Sequence, residues 1–112
     1  MSAVEVIRRT FTEPLLKVSG VGEYRGTARA SMDPRAIVQA AFQGRVLDLL
    51  VAADAEYWGA WNQEIQDVDT GSPEKELLNA ASLQTLRHGG NAFVVKASDM
   101  PVKAGAAALF RF

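Results

Sequence analysis

The chain has 112 residues, with 12 Lys and Arg against 13 Asp and Glu, a formal net charge of -1 and 48% hydrophobic residues. That length suits one domain spanning 1–112, and so apolar and nearly neutral a composition excludes a disordered chain and speaks against a nucleic-acid binder. With no cysteine and one histidine, His88, the chain has no disulfide, no Cys-ligated zinc, no Cys nucleophile and no two-His metal site of its own.

The opening residues lack the basic start and apolar core of a signal peptide. The longest apolar candidate for a membrane span, residues 36–53, is broken by Gln39, Gln43, Arg45 and Asp48. A cytoplasmic protein is expected, or a virion component if the source is viral.

Residues 1–12 read as an extended arm or an extra strand, with Arg8 and Arg9 spoiling any alternation. A short apolar run at 14–18 and a cleanly alternating run at 23–30 predict two strands. In the second, Tyr24, Ala28 and Ala30 share one face, and Arg25 and Arg29 stand on the other. Gly20 and Gly22 between the runs suit a hairpin loop. With Gly26 they make a GxGxxxG spacing, but a dinucleotide loop needs a helix after it, and a strand comes next here.

The period then changes. Asp33 and Pro34 form a capping pair. Ile37, Ala40, Gly44, Leu47 and Val51 step by three and four, as do Phe42, Val46, Leu49 and Ala53. This predicts a helix over 34–53, apolar on more than half of its circumference and therefore packed on two sides. The pattern predicts a helical continuation over 54–66, bent near Gly59 and carrying Tyr57, Trp58, Trp61 and Ile65. On such a helix the two tryptophans, three apart, are neighbours, as are Tyr57 and Trp61.

Residues 67–72 read as a loop. Its Asp67 and Asp69 resemble the opening of a calcium loop, yet Gly71 falls at position five and Leu78 at position twelve, where that loop wants Gly at six and Glu at twelve. Ser72, Pro73 and Glu74 predict the start of a second helix, with Leu77, Leu78, Ala80, Ala81, Leu83 and Leu86 along it and Gly89 and Gly90 ending it. His88 at that end suits the helix dipole. A strand at 91–97 is expected to turn Phe93, Val95 and Ala97 inward. After a loop containing Pro101, a last strand at 106–112 puts Ala108, Phe110 and Phe112 on one face.

The expected fold is α+β. Strands from the two ends of the chain form an antiparallel sheet on two or three central helices, in the order β-β-α-α-β-β. Charge is segregated along the chain. Residues 46–76 hold eight acidic residues and one basic, whereas both flanking segments are net basic. The expectation is a basic sheet side and an acidic helical side, an arrangement that favours head-to-tail association.

No catalytic, cofactor or metal motif stands out. The expected function is a non-enzymatic structural or assembly protein working through protein–protein contacts, such as a small virus or phage head-tail component in a ring or other homo-oligomer. The expected contact residues are Tyr57, Trp58, Trp61, Leu47, Arg25, Arg29, Phe110 and Phe112. One alternative is a regulatory or inhibitor protein that binds its partner through an acidic, Trp-bearing helix. A second is a small α+β enzyme using His88 and acids among Asp54, Glu56, Glu64, Asp67 and Asp69.

Overall fold

The computed structural model describes residues 30–100 and 103–111. The strands expected at 14–18 and 23–29, the loop between them and the arm at 1–12 lie outside the described residues, as do Arg25, Arg29 and Phe112.

Within the described part the fold is mixed α+β, with two helices and two sheets. Helix α1, Pro34–Phe42, starts as the sequence predicts: the Asp33 carboxylate accepts the Arg35 amide at 3.1 Å and Pro34 takes the first turn. It ends eleven residues earlier than predicted. Gly44 adopts φ +73° and donates to the Ala41 carbonyl, while Arg45 donates to that of Ala40. This is the paired closure that a left-handed residue makes after a helix.

The rest of the supposed helix is strand β2, Val46–Ala52. It lies at the centre of a four-stranded sheet of order β1-β7-β2-β6, with β1 at Ala30–Ser31, β6 at Asn91–Val95 and β7 at Ala106–Phe110. A central strand is buried on both faces, so its sequence is nearly all apolar and shows no alternation. Leu49 and Val51 meet the helices, and Leu50 packs with Ala107 on the other face. The sheet is mixed, not antiparallel as expected: β2 runs parallel to β6 and antiparallel to β7. Of its two central strands, β7 comes from the C-terminal end as expected and β2 from the middle of the chain.

Residues 54–66 are not helical either. Strand β3, Trp58–Asn62, turns back through 63–66 into β4, Asp67–Asp69, where a loop was expected. Asn62 shapes the turn by accepting the amides of Glu64 and Ile65 through its Oδ1. Strand β5, Lys75–Glu76, completes a second sheet of order β4-β3-β5.

Helix α2, Leu77–Arg87, starts later than Ser72 and Pro73 suggest. Its cap is Glu76, whose carboxylate accepts the amides of Leu78 and Asn79. It ends where predicted, with Gly89 and Gly90 donating to the carbonyls of Leu86 and Thr85. In β6 the side chains of Phe93 and Val94 are exposed and only Ala92 and Val95 are half-buried, contrary to the expected inward Phe93. Ala97 is also exposed, in a short 3-10 turn at Ala97–Asp99. On β7 Ala108 and Phe110 do share the helix-facing side.

The main core lies between the helices and the four-stranded sheet, built from Ile37, Val38, Leu49, Leu77, Ala81 and Ala108 among others. No described helix is long and apolar enough to cross a membrane. The acidic segment 46–76 forms strands and turns, so the expected acidic helical side becomes an acidic strand region.

Candidate contact surfaces

Trp58 and Trp61 sit on strand β3, where positions three apart face opposite ways, and Tyr57 immediately precedes it. Trp58 and Trp61 are therefore separated, not adjacent. Trp58 points outward, 47% exposed, and its indole N–H donates to Glu56 at 3.1 Å. Trp61 turns toward α1 and stacks on Phe42, with ring centroids 4.5 Å apart and planes 11° apart. Tyr57 is half-buried, and that burial raises its phenol above the ordinary value. Its main chain ties β3 to α2: its N–H donates to the Glu76 carboxylate and its carbonyl accepts from Leu77.

Of the other expected contact residues, Leu47 is 44% exposed, because the β2 ladder slips between Val46 and Asp48. Phe110 is half-buried with the Arg45 guanidinium 5.6 Å from its ring centre.

The candidate acid–base residues are not gathered. Arg35 on α1 holds Asp67 on β4 through two hydrogen bonds, one of them 2.8 Å from Nε to Oδ1. Those bonds and the Val68 amide lower the Asp67 carboxyl to about 2, and the Arg35 guanidinium is raised in turn. Asp67 is thus held as an anion that pins β4 to α1. His88 serves the end of α2: its Nδ1 lies 2.8 Å from the Gln84 carbonyl, and its own carbonyl accepts from Arg111. Ser82, nearby in the chain, donates its hydroxyl to the Leu78 carbonyl. Among the described residues no three His, Asp or Glu side chains are grouped to hold a metal ion.

The structure draws attention to residues that the sequence pattern places along a helix without singling out. A groove of about 340 Å³ runs between β3 and α2, lined by Phe42, Trp61, Leu77, Ala80 and Leu83. Leu83 is 56% exposed at its rim and Leu86, one turn on, is 55% exposed. Leu77, Leu78, Ala81 and Thr85 form the inner face of α2, so Leu83 and Leu86 belong to the outer one. A signal for this exists in the sequence: α2 has more apolar positions than a single face holds, the same excess that residues 34–53 display.

Compared with known proteins, the chain matches no family model and no curated sequence. Among solved structures it resembles Archaeoglobus fulgidus Pelota, whose crystal structure is described as revealing inter-domain structural plasticity. The TM-score is 0.51 at 19% identity, and the match covers 96% of this chain but only 31% of Pelota. That likeness concerns the fold alone.

Proposed function

We propose that this chain is a non-enzymatic assembly protein that associates with a second copy of itself through the outer face of α2. One observation carries the reading: Leu83 and Leu86, each more than half exposed, form a stripe one turn long beside the Phe42–Trp61 groove. Burying such a side chain is worth about 1.5–3 kcal/mol, which a partner surface would recover. In a two-fold pair the same stripe serves both copies, so Leu83 and Leu86 of one meet those of the other.

Size-exclusion chromatography with light scattering tests the reading. The expected result is a dimer or larger multimer that becomes monomeric in the double variant Leu83→Ser, Leu86→Ser, with little change in melting temperature. A wild-type chain that stays monomeric at its highest soluble concentration overturns it.

A second reading keeps the acidic, Trp-bearing surface as the contact for another protein, now as a strand face. It rests on exposed Trp58 with its Glu56 partner.

A further inference from the structure

Helix α1 holds the β3–β4 hairpin by three side chains at a helical spacing. Arg35, Gln39 and Phe42, at positions i, i+4 and i+7, share one face of α1. Arg35 makes the ion pair with Asp67 on β4. Gln39 donates its side-chain amide at 3.2 Å to the carbonyl of Gln66, which closes the turn in the left-handed region at φ +54°. Phe42 stacks on Trp61 of β3.

The hairpin adds little else to the core. Within 60–69 only Val68 is buried, whereas five of the seven residues of β2 are. The Arg35 side chain is 56% exposed, and an exposed ion pair holds weakly. An element with so few buried contacts opens at lower free energy than the core. The other end of β3 is fixed more firmly. Trp58 and Gly59 pair with β5, and the Tyr57 main chain is bonded to Glu76 and to Leu77. The hairpin is also paired within itself, Ala60 with Asp69, Trp61 with Val68 and Asn62 with Asp67.

We propose that the β3–β4 hairpin is a flap: it leaves α1 as a paired unit, hinged between Tyr57 and Gly59, while the rest of the domain stays folded. The ion pair and the Gln66 bond lie at the turn end of the ladder, away from the hinge, and act as its latch. Ala60 and Trp61 form one wall of the groove beside α2, across from Leu77, Ala80 and Leu83. Release parts Trp61 from Phe42 and moves that wall, so the flap sets the width of the groove. The flap works in one copy of the chain and does not require a second copy on α2.

Native-state amide hydrogen exchange, followed by NMR in low urea, tests the flap. It is run on the wild-type chain and on the Leu83→Ser, Leu86→Ser double variant, so that the outcome does not depend on the α2 contact. The β3–β4 ladder amides are expected to exchange about tenfold or more faster than those between β2 and β7. They should respond weakly to urea, since the opening exposes little surface. Gln39→Ala and Phe42→Leu, which each remove one hold on the hairpin, are expected to speed its amides about threefold to tenfold. Leu50→Val, in the core on the far face of the sheet, is expected to speed the β2–β7 amides and leave the hairpin amides unchanged, because the flap opens with that core intact. Four results would overturn the proposal: hairpin amides with the urea dependence of β2, hairpin amides with no protection, Leu50→Val speeding both sets alike, or hairpin exchange unmoved by Gln39→Ala and Phe42→Leu.

Discussion

The two helices end in the same way, but the chain beyond each end is different. After α1, Gly44 turns left-handed and its neighbour Arg45 closes the last turn; after α2, Gly89 and Gly90 do the same. Only the second ending shows in the sequence. Two adjacent glycines mark it, and beyond Gly90 the polar Asn91 separates the helix from the apolar residues 92–95. Beyond Gly44 and Arg45 an apolar run begins at once, and its spacing can be threaded onto the helical stripe that precedes it. A glycine ends a helix by its conformation, and sequence shows that conformation only when the residues after it also abandon the period.

Substitution sharpens the contrast between the two ends. The largest loss is expected at the α2 end. A Cβ at Gly90 would lie 2.7 Å from the Leu47 carbonyl and 2.8 Å from that of Val46, so Gly90→Ala must push α2 away from β2. About 3 kcal/mol of stability is expected to go, read as a lower urea midpoint. Next comes the α2 start. Glu76→Ala leaves the amides of Tyr57, Leu78 and Asn79 without their carboxylate, for about 2 kcal/mol, whereas Asp33→Ala at α1 frees one exposed amide for about 1 kcal/mol. Equal losses would show that the tie from β3 to α2 adds nothing. Gly44→Ala is expected to cost about 1–2 kcal/mol, from its positive φ and from the His88 ring 2.9 Å away. A gain in helical circular dichroism in that variant would show that the apolar run can rejoin α1.

Leu47→Asp separates strand from helix more gently. On a helix packed on two sides, that change would unfold the chain. On β2, with Leu47 44% exposed, a cooperative melt within about 1 kcal/mol of wild type is expected. The smallest effect comes from the pin between α1 and β4. Asp67 titrates at about 2 in the folded chain, below the ~3.9 of an unfolded aspartate. Its contribution is complete above that unfolded value and disappears as pH falls through about 2. Asp67→Asn is expected to flatten the stability curve in this window and leave it unchanged near neutrality, apart from a constant offset.

Parts of the fold were legible where one short-range cause dominates. Asp33 with Pro34 marks a helix start, the glycine pair after His88 marks a helix end, and Ala108 and Phe110 alternate on one face of β7. The contact surfaces were less so. Trp58 and Trp61 fit one helical face by spacing, and the strand parts them, leaving Trp58 in solvent and Trp61 against Phe42. Leu83 and Leu86 are indistinguishable from Leu77 and Leu78 by composition; only the position of the sheet shows which pair faces out.

Composition determined that the chain has an apolar core and carries no cysteine chemistry, and residue order that its acids gather in the middle. Capping residues determined where α1 begins and α2 stops. Tertiary structure decided that residues 46–52 are a strand, because its two neighbours are β6, some forty residues later, and β7, later still. A run buried on both sides has no polar face to report its period, so the choice between helix and strand falls to the partners that cover it.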